Sequence, residues 1–149
     1  MTTAIILGYL GVAMMVGFAG LASAIGTAIC GMAAVGAMKK DASKFGSYMI
    51  LAALPGSQGL YGFVAYFMIQ GFLTPEITMT QGAAIFAGGI VMGLVGIISS
   101  YFQSKVCASG IAAIGNGHDV MTRTLILGAF PELYAILGLA TVFLLSLAI

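Results

Sequence analysis

Four apolar runs, each long enough to cross a bilayer and separated only by short polar connectors, leave this chain almost no choice of fold. They extend from Ala4 to Met38, Phe45 to Leu73, Gln81 to Ile114 and Thr124 to Ile149. A helix needs about 20 apolar residues to cross ~30 Å of hydrocarbon, and each run exceeds that. In lipid every backbone polar group must be satisfied internally, so runs of this length are helices. Hydrophobic residues make up 61% of the 149 and charged residues 6%, where soluble domains carry about 25%. The expected fold class is therefore an all-α membrane protein with four transmembrane helices and no room for a soluble domain.

The charges sit in the connectors. Lys39, Lys40 and Lys44 occupy the first and Arg123 borders the third, while the second, Thr74 to Thr80, has Glu76 and no cation. The excess of cations assigns loops 39–44 and 115–123 to the cytoplasm, which puts both termini outside. Met1 to Leu7 lacks a basic segment and a small-residue cleavage site, so it reads as the start of the first helix. No basic patch with interleaved aromatics exists, which excludes nucleic acid as a partner class. No phosphate-binding Gly-Lys-Thr loop exists either.

An offset of 76 residues, without a gap, superimposes the two halves. It sets Pro55 on Pro131, Gly62 on Gly138, Gly17 on Gly93, Gly20 on Gly96 and Ser23 on Ser99. The chain reads as a duplicated helical hairpin, residues 1–73 and 81–149, both copies running in the same sense, unlike the inverted repeats of many transporters. Small residues dominate the first and third helices: Gly8, Gly11, Gly17, Gly20, Ala24, Ala28 and Gly31, then Gly82, Gly89, Gly93, Gly96 and Gly110. Such faces let helices approach closely in lipid, and their extent suits a narrow inner layer within a homo-oligomeric ring.

One carboxylate lies inside a span. A charge at the bilayer centre costs roughly 2.5–3.5 kcal/mol, and an intramembrane ionisable group is by default a functional site. That group is Glu132, whose mate in the first hairpin is Gly56, so only the second hairpin carries an ionisable site. Leu54, Ser57, Gln58 and Tyr61 are spaced to share one face of the second helix, and Pro55 removes a backbone donor there. Gln103 is a further mid-span amide. The Leu54 carbonyl, the Ser57 hydroxyl, the Gln58 and Gln103 amide oxygens and the Glu132 carboxylate make five hard oxygens with one negative charge, a set that suits a monovalent cation such as Na+. Tyr61 is placed to donate to the carboxylate.

The segments Leu54-Pro-Gly-Ser-Gln-Gly-Leu-Tyr-Gly-Phe63, Gln103-Ser-Lys105 and Glu132-Leu-Tyr-Ala-Ile-Leu-Gly138 resemble the proteolipid (K or c subunit) of prokaryotic V-type rotary ATPases, particularly sodium-translocating members. The resemblance covers essentially the whole chain. It implies a rotor ring of identical copies in a prokaryotic cell membrane, turned against a stator subunit and joined to central-stalk subunits, with ATP chemistry in partner subunits. It also implies Na+ ligation by Leu54, Ser57, Gln58, Gln103 and Glu132, with Tyr61 bonded to the carboxylate. Ser57 departs from the sodium pattern, where Thr is usual. The alternatives are a proton-carrying ring of the same family and a four-helix structural or channel protein.

Other reactive residues take plainer readings. Cys30 and Cys107 are small packing residues, His118 is a solvated loop residue, and the Met-rich stretches are lipid-facing filler. Lys105 either snorkels towards the cytoplasm or lines a ring interior.

Overall fold

The computed structural model describes residues 2–149. Helix α1 runs Thr3–Met38, α2 Phe45–Ala53, α3 Ser57–Ile69, α4 Met79–Gly115 and α5 Met121–Ala148. Short 3-10 turns cover Ala42–Lys44, Leu54–Gly56 and Gln70–Phe72. The chain is all-helical, a duplicated hairpin, and α1, α4 and α5 are each long and apolar enough to cross a membrane. These helices suit an integral membrane protein.

The second span differs from the unbroken rod that its hydropathy suggests. It is α2 and α3 joined by the 3-10 turn Leu54-Pro55-Gly56, whereas its repeat mate Pro131 sits inside a continuous α5. Proline removes one backbone donor in both places, but Pro55 is followed by Gly56, which adds about 1 kcal/mol of helix penalty that Glu132 does not. The turn tightens, and the Ser57 N–H bonds the Leu54 carbonyl. The third span begins at Met79, ahead of the expected Gln81, because Thr78 and Gln81 form a reciprocal capping box: Thr78 Oγ1 accepts from the Gln81 N–H at 3.2 Å and Gln81 Oε1 from the Thr78 N–H at 3.0 Å. In the first connector, Asp41 Oδ1 accepts from the Ser43 N–H at 2.9 Å and opens the short turn there.

α1 and α4 lie side by side in parallel. Ala4 meets Gly82, Gly11 meets Gly89, Ala19 meets Gly96 and Ala37 meets Gly115. These pairs run in one sense along both helices with separations close to the repeat offset, so the duplication is visible as neighbouring helices in near-equal register. A Cβ on Gly11 would strike the Ile85 carbonyl, and one on Gly89 the Gly11 carbonyl. Backbone touches backbone at these points, which is how helices gain contact in lipid without a hydrophobic driving force. The broken α2–α3 span covers one side of this pair and α5 covers α4. At one end, Lys40 Nζ donates to Asn116 Oδ1 at 2.6 Å, so the first and third connectors lie together. Gly117, with φ of 88°, allows the turn that leaves α4.

The methionine reading changes. Met15 and Met92 are fully buried in the core, so the methionines are not all lipid-facing; their unbranched thioethers fill the space left between glycine-rich helices. Lys105 does not reach towards the connector at the C-terminal end of α4. Its ammonium lies 5.1 Å from the ring centre of Tyr101, one turn back along the helix. Side chains on a helix tilt towards its N-terminus, and the aromatic face holds the cation there. Cys30 and Cys107 are buried in one cluster between α1 and α4, with Cys30 Sγ donating to the Ser104 carbonyl at 3.4 Å.

Gly89→Ala should therefore destabilise the chain by about 1–3 kcal/mol, the usual cost of overpacking a filled contact. Gly36→Ala, whose added Cβ meets nothing, should not. Unfolding midpoints in mixed micelles check both.

Candidate functional site

Polar side chains from three helices meet where α3, α4 and α5 converge. α3 begins directly after the 3-10 turn, which brings Gln58 and Tyr61 round to face α4 and α5. Gln58 and Gln103 are fully buried, and Glu132 and Tyr61 are partly so. Burying amides without partners costs roughly 1–3 kcal/mol each, so their bonds must be accounted for.

The carboxylate is held at both oxygens. Tyr61 Oη donates to Glu132 Oε1 at 2.6 Å and Gln103 Nε2 to Glu132 Oε2 at 3.0 Å. Gln103 Nε2 also donates to the Gly128 carbonyl at 3.0 Å, one turn before Glu132 on α5. Gln103 Oε1 accepts from Gln58 Nε2 at 2.9 Å. Gln58 Nε2 donates in addition to Ser99 Oγ at 3.0 Å, and Ser99 Oγ donates to the Pro131 carbonyl at 2.8 Å. Gln58 Oε1 is left buried with no hydrogen-bond partner, alone among buried side-chain nitrogens and oxygens of the described residues.

Of the six residues singled out from the sequence, Tyr61, Glu132, Gln103 and Gln58 form one continuous network. Tyr61 meets the carboxylate as expected. Gln103 meets it through the amide NH2, while its oxygen is turned to Gln58. Ser57 and Leu54 stand beside the network: Ser57 Oγ donates to the Leu54 carbonyl at 3.0 Å, and the Ser57 hydroxyl neighbours that of Tyr61. The sequence reading missed Ser99 and the carbonyls of Gly128 and Pro131. A signal for Ser99 existed, since it lies one turn before Gln103 on the same face of α4. For the carbonyls the one signal was Pro131, whose missing N–H loosens the helix bonding around it.

The corresponding place in the first hairpin is bare. Thr27, the mate of Gln103, spends its hydroxyl on the Ser23 carbonyl of its own helix at 2.8 Å, and Gly56 has no side chain to receive a donor. Among the described residues no three His, Cys, Asp or Glu side chains cluster as a metal site. Any ion held here meets one carboxylate and neutral oxygens.

Comparison with known proteins places this arrangement in context. The family model for the C subunit of ATP synthase matches residues 10–69 and, a second time, residues 86–145. The V-type sodium ATPase subunit K of Enterococcus hirae is 38% identical over 130 residues, which cover 87% of this chain and 83% of that one. The A-type ATP synthase subunit K of Methanocaldococcus jannaschii is 34% identical over 149 residues, the whole of this chain and 66% of that one.

The bond between Tyr61 and Glu132 can be isolated by a double-mutant cycle. Tyr61→Phe should cost about 1.5–3 kcal/mol as a lost bond to a charged group, and much less in a Glu132→Gln background. Equal losses in both backgrounds, measured by unfolding in mixed micelles, would show that the tyrosine hydroxyl does not hold the carboxylate.

Proposed function

The chain belongs to the ATP synthase C-subunit family, and on that premise we propose that it is the rotor proteolipid of a V/A-type ATPase, carrying one Na+ per chain at Glu132. Gln58 Oε1 is the observation that carries the ion reading. A fully buried amide oxygen without a donor, two hydrogen bonds from an intramembrane carboxylate, is a hard ligand waiting for a cation. The name of the Enterococcus relative, a sodium ATPase subunit, supports sodium over protons. In this reading Glu132 supplies the charge, the Gln58 oxygen, the Ser57 hydroxyl and the Leu54 carbonyl supply neutral ligands, and Gln103 supplies its oxygen once its amide turns. Tyr61 holds the carboxylate. The bound cation cancels the charge, so the loaded site crosses lipid without the cost of an exposed carboxylate.

Assembly into a ring is supported by the repeat itself. A furrow of about 570 Å³ between α4 and α5 is lined in part by Val95, Ile98, Ser99, Phe102 and Pro131. The mates of these residues in the first hairpin are Ala19, Ala22, Ser23, Gly26 and Pro55, and there the space is filled from α4 by Gly96 and Ser100. Gly20 and Ala24, the mates of those two filling residues, are exposed on α1, and a Cβ on Gly20 meets nothing. A second copy presenting Gly20 and Ala24 to the furrow repeats the contact already made inside one chain. Such a head-to-tail contact closes into a ring when its rotation allows. The same reading includes a stator subunit and central-stalk subunits as partners and ATP chemistry in other subunits, and the cation excess in connectors 39–44 and 115–123 supports a cytoplasmic side for them in a prokaryotic cell membrane.

Three outcomes are expected. Glu132→Gln leaves ring assembly nearly intact and abolishes ion-coupled transport in the reconstituted complex. Gly20→Leu leaves the single chain folded and prevents the ring, read on a native gel. Hydrophobic carbodiimides attack only a protonated acid, and a bound cation favours the ionised form, so labelling at Glu132 slows when sodium is added at constant pH and ionic strength. Protection by millimolar sodium no better than by potassium would overturn the sodium reading in favour of a proton ring.

A further inference from the structure

We propose that Ser99 is a positioning residue of the ion site: its hydroxyl decides which end of the Gln58 carboxamide is left free for the cation. The proposal rests on the sodium reading above and goes beyond it, because Ser99 lies outside the ligand set.

The argument is one of hydrogen-bond direction. A backbone carbonyl can only accept, so the Ser99 proton is committed to Pro131 at 2.8 Å. What Ser99 turns towards Gln58 is then a lone pair, and Gln58 must answer with its NH2, as it does at 3.0 Å. The Gly128 carbonyl imposes the same rule on Gln103. Its NH2 is committed to Gly128 and Glu132, so its oxygen faces Gln58 and accepts at 2.9 Å. Gln58 thus stands between two acceptors and gives a hydrogen to each. Its oxygen is the residue of that accounting, buried and without a donor.

Turning the Gln58 amide over would set its oxygen against the Ser99 lone pair and the Gln103 oxygen, leaving three buried acceptors without donors. Ser99 holds this polarity even when Gln103 turns its own oxygen to a cation, because the Pro131 carbonyl is fixed in α5. Pro131 directly precedes Glu132, so the hydroxyl ties the neutral ligand and the charged one to the same turn of helix. An amide held this way presents a preorganised oxygen, and preorganisation is what raises affinity for an ion.

Ser99→Thr and Ser99→Val are near-equal in shape and differ in the hydroxyl. Both add the same bulk beside the furrow that Ser99 borders, so whatever the added group costs against a neighbouring copy is common to the two and cancels in their comparison. The readout is the sodium concentration that half-protects Glu132 from carbodiimide in membranes carrying the assembled protein. Ser99→Thr should keep it close to that of the native chain, and Ser99→Val should raise it by on the order of tenfold, the worth of one buried hydrogen bond. Labelling without sodium should persist in both, which reports that the carboxylate and the assembly are intact. Ser100→Ala removes a neighbouring buried hydroxyl bonded to the Ala22 and Pro55 carbonyls and serves as a packing control. Equal midpoints for the Thr and Val variants, or a shift in Ser100→Ala as large as in Ser99→Val, overturn the role of Ser99 while sodium protection of the native chain still stands. Absence of that native protection removes the sodium reading, and this proposal with it.

Discussion

One carboxylate has to be kept inside a slab of hydrocarbon, and most of the specific structure in this chain answers to that. Glu132 alone would cost several kilocalories per mole in lipid. Tyr61 and Gln103 each bond one of its oxygens, and Gln103 is itself tied to α5 through Gly128. The arrangement works only if α3, α4 and α5 converge at one level. Backbone contact between α1 and α4 fixes the inner pair, and the 3-10 turn at Leu54–Gly56 redirects α3 so that its polar face meets them.

The duplication supplies two copies of the scaffold and one of the chemistry. Where α5 keeps Pro131 followed by Glu132, the second span has Pro55 followed by Gly56, and the same proline that an α-helix absorbs in one copy becomes a break in the other. The missing carboxylate and the break are thus one local difference with two results. The first hairpin has no ionisable group in its spans, and its 3-10 turn sets Gln58 and Tyr61 into the network of the second.

Much of this was legible in the residues. Span count, repeat offset and the singular position of Glu132 follow from hydropathy and spacing, because lipid leaves helices as the only solution for an isolated chain of this kind. Tyr61 could be assigned to the carboxylate from helical periodicity alone. Amide orientation could not. Gln103 reads as an oxygen ligand by residue type, yet its partners are decided by the Gly128 carbonyl, and the identity of Gly128 says nothing of which side chain its oxygen meets. Ser99 was hinted at by its spacing from Gln103, but beside Ser100 and Ser104 in a small-residue helix it looks like packing, and its bond to Pro131 is what sets it apart. The methionines show the complementary error. Their apolar character was read correctly and their direction was not, since burial between two particular helices is a property of the assembled structure.

The chain of donors around Glu132 also has a traffic rule. From Gln58 through Gln103 to the carboxylate, every link is a carboxamide giving hydrogens towards an oxygen, and a carboxamide does not readily take up a proton and hand it on as water or imidazole does. The interior side of Glu132 is therefore insulated, and its partly exposed outer side is the open approach. In the proposed ion-carrying role, a cation would reach this carboxylate from the rim of the molecule and leave by the same door, which makes loading and unloading events of whatever surface stands opposite.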